Sequence, residues 1–171
     1  MEKGNHLLTG ATFLAAAGAI AYTQAPHELN QYLPEITDKA VFCISFLATT
    51  PLPDIDQKIR YLEHRTLTHC LLFLVPFIYL GTLYTPLLGM AFGVFHHLLI
   101  DNLSNQGVPW LWPLQKFIRY PDGKKVVNGH HLRLYRSKSP AETMWAIIIS
   151  LFNIAVCAMF LLDHFKLIDV L

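Results

Sequence analysis

Residues 66–101 read TLTHCLLFLVPFIYLGTLYTPLLGMAFGVFHHLLID. The 35 residues from Thr66 to Ile100 contain no Asp, Glu, Lys or Arg. A soluble helical bundle carries charges along its outer face. A hydrocarbon core, which about 20 apolar residues can span, excludes them. A second charge-free run covers the 20 residues Thr143–Leu162. Both runs belong in a membrane. The first ends on His96, His97 and Asp101, which raises the question of why an apolar span carries ionisable groups at its end.

The composition agrees with a membrane setting. Hydrophobic residues make up 53% of the 171, and charged residues 15%, against roughly 25% in soluble domains. The formal net charge of +1 gives no basis for nucleic-acid binding by the chain as a whole. Cys43, Cys70 and Cys157 sit in apolar runs without CxxC spacing and read as small hydrophobes, neither a disulfide framework nor a zinc knuckle. The first residues could mimic a cleaved signal peptide. They are read instead as a retained helix, because the later segments need a partner.

The expected fold is an all-α polytopic membrane protein, a single integral-membrane domain over 1–171. It has about five transmembrane helices, at about 7–24, 39–52, 67–84, 86–101 and 141–162. A polar cytoplasmic loop of about 40 residues, 102–140, precedes the last helix. Ala11, Ala15 and Ala19, four residues apart, suit close helix packing. The second segment is short and ends at Pro51 and Pro53. Pro76 predicts a kink in the third. Ser139, Pro140 and Glu142 in SPAE form a helix-start signal with a capping box. In the loop, Trp110 and Trp112 suit the interfacial aromatic belt, and Asn128–Gly129 could turn a small hairpin.

Placing the N-terminus in the cytoplasm puts 11 of the 13 Lys and Arg residues on the inner side, leaving only Lys39 and Lys166 outside. By the positive-inside rule, the chain runs N-terminus in, C-terminus out. The basic loop residues then serve topology and anionic headgroups. Membrane lipids are expected partners and nucleic acid is not.

This topology answers the opening question. His6 lies at the cytoplasmic start of the first helix, and Asp54 and Asp56 at the cytoplasmic end of the second. His64, Arg65 and His69 lie at the start of the third, and His97 and Asp101 at the end of the fourth. Four helices deliver ionisable groups to one membrane face, where such groups are costly and tend to mark function. His97 and Asp101 are four apart and share a helical face. Asp54 and Asp56, two apart in what reads as extended backbone, should point to the same side. His96 faces about 100° from His97, toward protein or an outer shell. His27, His130, His131 and His164 read as surface residues. Imidazoles with carboxylates and no thiolates suit zinc first, with manganese or iron as alternatives.

With these residues in view, the chain resembles the membrane-bound metal-dependent hydrolases of the LexA-regulated, YdjM-like inner-membrane type. The resemblance rests on NHLLTG, TPLPDID, HRTLTHC and HHLLIDNLSNQGVPWLWP, in that order from His6 to Pro113, with SPAE before the last helix. Thr66, Cys70 and Ser104 depart from the pattern, and none replaces a presumed ligand. The resemblance implies His6, Asp54, Asp56, His64, His69, His97 and Asp101 as metal-site positions. It supplies no substrate.

The expected function is metal-assisted hydrolysis at the cytoplasmic face. A bound divalent ion lowers the pKa of its water to about 7. His6, His69, His97 and Asp101 are expected as ligands. Asp54 or Asp56 is a further ligand or the general base, His64 a ligand or proton donor, and Arg65 an anion-binding fork. Asp54, Asp56, His64 and Arg65 are thus the catalytic candidates. The location favours an amphiphilic or phosphorylated small substrate, such as a lipid ester or phosphoester. A structural metal site is the alternative. A transporter fits less well, since its polar groups would sit near mid-membrane.

Overall fold

The computed structural model of the chain describes residues 3–58, 67–104, 107–113, 134 and 139–164. Its regular structure is helical, with no β-strand among the described residues. The helices are α1 (Lys3–Gln24), α2 (Pro26–Tyr32), α3 (Ile36–Thr49), α4 (Val75–Leu83), α5 (Leu88–Asn102) and α6 (Pro140–His164). Four 3₁₀ segments, Leu52–Lys58, Leu67–His69, Leu71–Leu74 and Thr85–Leu87, link the middle helices. The hairpin expected around Asn128–Gly129 lies outside the described residues.

Among the described residues two helices, α1 and α6, are long and apolar enough to cross a bilayer, where the sequence predicts five spans. The middle helices α3, α4 and α5 have 14, 9 and 15 residues. At 1.5 Å per residue, α3 and α5 reach about 21–22 Å, short of a core of about 30 Å. Prolines set these limits. Pro51 and Pro53 follow α3, and Pro86 precedes α5. Pro76 lies in the first turn of α4, so it starts that helix and does not kink one already running. The apolar stretch Leu71–Leu83 is consequently part 3₁₀ and part α-helix. α2 begins with Pro26 and buries no residue. α3 starts with a capping box between Glu35 and Asp38.

Side-chain contacts give the helix directions. Asn5 reaches Glu142, Thr12 meets Asn153, and the ring of Tyr22 meets that of His164. α1 and α6 therefore run parallel along their whole length. Phe42 packs by Gly89 and Phe92, Phe46 by Gly93, and Thr50 by His97, so α3 and α5 are also parallel. His6 stacks on His97, and Gly10 lies against Thr50. The start of α1 thus meets the ends of α3 and α5. α4 turns back onto α5, with Gly81 against Leu88 and Leu74 against Val94 and Leu98. Taken in order, α1, α3, α4, α5 and α6 alternate in direction.

Two glycines permit the closest of these approaches. A Cβ on Gly89 would collide with the carbonyl oxygen of Phe42, and one on Gly93 with that of Phe46. Their four-residue spacing places both on one side of α5, the small-residue pattern that lets membrane helices touch through backbone. The alanines of α1 follow a different stripe from the predicted one. Ala16 and Ala19 are buried, while Ala11 and Ala15 are exposed.

The solvent preference of the fold is inverted. Fully buried side chains include His6, Thr9, Thr50, Asp54, His69, His97, Asp101 and Glu142. Leu83, Leu151, Phe152 and Ile154 stand on the outside, each more than half exposed. In water this arrangement would waste apolar area and bury charge. In a bilayer it costs nothing on the outer surface and confines polar groups to the protein interior. The three cysteines are free.

Candidate metal centre

The prolines that shorten α3 also build the site. Beyond Thr50 the chain enters the 3₁₀ segment Leu52–Lys58, which carries Asp54 inward to the end of α5. On the far side, the 3₁₀ turn Leu67–His69 brings in His69. α5 supplies His97 and Asp101 from one face, and the first turn of α1 supplies His6. His6, His69, His97 and Asp101 are 0% exposed and Asp54 1%, so their polar atoms have one another in place of water.

The arrangement is convergent. Nε2 of His97 lies 3.3 Å from Nε2 of His69. Oδ2 of Asp101 lies 3.5 Å from His69 Nε2 and 3.7 Å from His97 Nε2. Oδ1 of Asp54 is 3.8 Å and 3.9 Å from the same two nitrogens. Nε2 of His6 is 3.4 Å from Oδ1 of Asp101, and its ring stacks on His97 at 3.9 Å between centroids. Two overlapping triads, His6–Asp54–His97 and His69–His97–Asp101, bring their ligand atoms within 4.8 Å of one another.

The opposite ring nitrogens are occupied. Nδ1 of His97 is 2.8 Å from the carbonyl oxygen of Thr50 and can only donate to it. This leaves a lone pair on Nε2, aimed at the centre. Nδ1 of His69 faces Oδ2 of Asp56 at 3.3 Å and the hydroxyl of Thr68 at 3.0 Å. Thr68 in turn donates to Asp56 at 2.8 Å. Carboxylate and carbonyl partners of this kind orient imidazoles that bind metals.

Asp56 therefore sits where the extended-backbone reading did not place it. A 3₁₀ helix has three residues per turn, so side chains two apart diverge. Asp54 faces the centre, and Asp56 faces the back of His69. The backbone form, not the residue type, was the missing information. His96 points away, with Nε2 3.3 Å from the hydroxyl of Thr9 and its ring beside Phe13 and Phe46. His27 and His164 are exposed. His64, Arg65, His130 and His131 lie outside the described residues.

Sequence reasoning preferred helix capping to a catalytic role for Glu142. It is 1% exposed, and its carboxylate accepts a hydrogen bond from Asn5 Nδ2 at 3.1 Å. Trp110 was assigned to the membrane interface. It packs on the cluster of Leu74, Val94, Leu98 and Val108 and donates to Asn102 at 3.3 Å. This folds the start of the loop after α5 against the wall of the site.

The donor set of three imidazoles and two carboxylates, without thiolate, fits a borderline divalent ion such as zinc, manganese or iron. The convergence of lone pairs gives that fit a physical ground, since nitrogen and oxygen acceptors crowded together repel unless a cation or proton lies among them.

A family model described as "YdjM inner membrane protein" matches residues 1–164. Curated relatives named "Inner membrane protein YdjM", from Escherichia coli (strain K12) and Shigella flexneri, are each 33% identical over 103 residues. Those matches cover 45% of this chain and 52% of each relative, so the chain spans about half the length of the curated relatives it matches. No solved structure matches the chain.

Proposed function

The chain belongs to the YdjM inner membrane protein family, and on that premise we propose that it is a metal-dependent hydrolase. Its His/Asp centre would lie at the cytoplasmic membrane face and act on a lipid ester or phosphoester. The observation that carries this reading is the convergence of His6, His69 and His97 Nε2 atoms with Asp54 and Asp101. The far nitrogens of His69 and His97 are tied to Asp56 and Thr50.

A divalent ion bound there supplies Lewis-acid polarisation and a water acidified to a pKa of about 7. The protein's own groups do the rest. His6, His69, His97 and Asp101 hold the ion. Thr50 and Asp56 keep two of the imidazoles in the ligating tautomer. Asp54, the more distant carboxylate, accepts the proton of the attacking water. His64 and Arg65 keep the proton-donor and anion-binding roles read from the sequence. An amphiphilic or phosphorylated substrate is the class that an interfacial site favours.

The same reading takes α1, α3, α4, α5 and α6 as five membrane segments, N-terminus in and C-terminus out. The alternating helix directions support it. The shorter middle helices accommodate through their 3₁₀ extensions and by local thinning of the bilayer.

A second reading has its own support. The burial of every donor suits a closed structural metal centre that ties four segments together. Elemental analysis of detergent-purified protein, wild type beside His97→Ala and Asp101→Ala, is the first test. One or two equivalents of zinc, manganese or iron in the wild type, lost in both variants, is the expected result. Metal-free wild type after metal-supplemented expression overturns both readings. A lipid-ester and phosphoester hydrolysis screen on the loaded protein then separates enzyme from structural centre.

A further inference from the structure

Glu142 is a buried carboxylate for which the proposed chemistry has no use. It lies three residues into α6, whose next charged residue, Asp163, comes 21 positions later. Burying a carboxylate at 1% exposure is costly unless it is paired and hydrogen-bonded. Its position supplies compensation. Because α1 and α6 run parallel, their N-termini lie side by side, and both present partial positive charge there. Asn5 Nδ2 donates to Glu142 Oε1 at 3.1 Å and approaches Thr143 Oγ1 at 3.5 Å.

Asn5 directly precedes His6. The turn of α1 that carries both is held on its other side by Thr9. The Thr9 hydroxyl bonds the carbonyls of Asn5 and His6 at 2.9 and 3.2 Å and meets His96 of α5 at 3.3 Å. The His6 ring itself rests on His97. Its Nδ1 has no hydrogen-bond partner among the described residues, unlike the far nitrogens of His69 and His97. With nothing tying Nδ1, the orientation of His6 depends on how its helix turn is clamped, alongside the stacking on His97 and the contact of Nε2 with Asp101.

We propose that Glu142 is a positioning residue for the metal centre, setting the place of His6 through its hydrogen bond to Asn5. Through it α6, which gives no ligand, takes part in the site. This inference rests on the metal-centre reading above and deepens it.

The test is zinc affinity, measured by competition with a chromophoric chelator on the full chain in detergent. Wild type, His97→Ala, Glu142→Ala, Glu142→Gln and Asn5→Ala are compared. Outer-shell supports of metal ligands are generally worth about 10–100-fold in affinity. Glu142→Ala and Asn5→Ala should each weaken zinc binding by that order. Glu142→Gln, which keeps an oxygen acceptor for Asn5, should restore binding to within about threefold of wild type. A role in folding alone would not sort the variants by their ability to accept that bond. Should Glu142→Ala fail to fold, Asn5→Ala and Glu142→Gln carry the test. Wild-type affinity in Asn5→Ala, or a Gln variant weakened about 10–100-fold, overturns the proposal while leaving the metal centre standing. Zinc-free wild type, or His97→Ala binding as wild type does, removes the metal reading and this inference with it.

Discussion

The Nε2 atoms of His69 and His97 face each other across 3.3 Å, and with both imidazoles neutral and protonated at Nδ1 neither has a proton to give the other. Thr50 takes the Nδ1 proton of His97, and Asp56 stands ready for that of His69. Two lone pairs pointed at one another, with Asp101 Oδ2 beside both at 3.5 and 3.7 Å, form an arrangement that a cation stabilises and its removal exposes. Metal binding to the folded state alone adds about 4 kcal/mol at a thousandfold excess over Kd. For a chain of this size that corresponds to a shift on the order of 10 °C. A strong chelator should lower the wild-type melting temperature by that order and leave His97→Ala unchanged. Equal shifts in both proteins would show that the chelator acts elsewhere.

Asp56 contributes through His69, so its loss should be graded. Asp56→Asn keeps a carbonyl acceptor for Nδ1 but loses the charge, whereas Asp56→Ala loses both. Zinc affinity should fall in the order wild type, Asn, Ala, with the Ala variant about 10–100-fold weaker. Asp54→Ala should instead remove hydrolysis, since Asp54 faces the centre. Calorimetric titration of wild type and the two Asp56 variants checks the order, and an Asp56→Ala protein with wild-type affinity would remove Asp56 from the site.

Much of this site was legible in the sequence because membrane topology is a strong constraint. Once charge-free runs are read as spans, chain order alone sends His6, Asp54, His69, His97 and Asp101 to one face. The four-residue spacing of His97 and Asp101 survives because α5 is a regular helix there. What could not be read was local backbone form. Asp54 and Asp56 separate because their segment is 3₁₀, and Pro76 begins a helix because the residues before it are 3₁₀ as well. Helix bounds were legible to within about four residues at α1, α3, α5 and α6, and failed at the third segment, where the expected 67–84 shortens to Val75–Leu83. The burial of Glu142 depends on α1 and α6 running parallel, a tertiary fact with no local signature.

Gly89 and Gly93 should be intolerant of any side chain. A Cβ at either meets a backbone carbonyl of α3, which cannot rotate away, so α5 must move. Overpacking of this kind costs about 1–3 kcal/mol, and here it would also displace His97. Gly18 offers the control, since its Cβ would meet nothing within 4 Å and Ala there favours the helix by up to about 1 kcal/mol. Thermal melts should rank Gly18→Ala at or above wild type and Gly93→Ala several degrees below. The reverse order would show that the α3–α5 contact is loose enough to admit a methyl group.

The alternating directions of the helices make a prediction about sidedness. Tyr84 at the end of α4 donates to Asp38 at the start of α3 at 2.7 Å, and Lys39 donates to Asn30 at 3.0 Å. The ends of α1, α4 and α6 and the starts of α3 and α5 thus share one end of the molecule. The start of α1 shares the other end with the metal centre. With Cys43, Cys70 and Cys157 replaced, single cysteines at the exposed positions Gly4, Gln31 and His164 report both ends. A membrane-impermeant maleimide applied to intact cells or spheroplasts should label Gln31→Cys and His164→Cys, and reach Gly4→Cys only after lysis. Labelling of Gly4 alone in intact cells would invert the topology and put the centre on the outer face. Labelling of Gln31 and His164 on opposite sides would break the parallel pairing of α1 with α6, and with it the route by which Glu142 reaches His6.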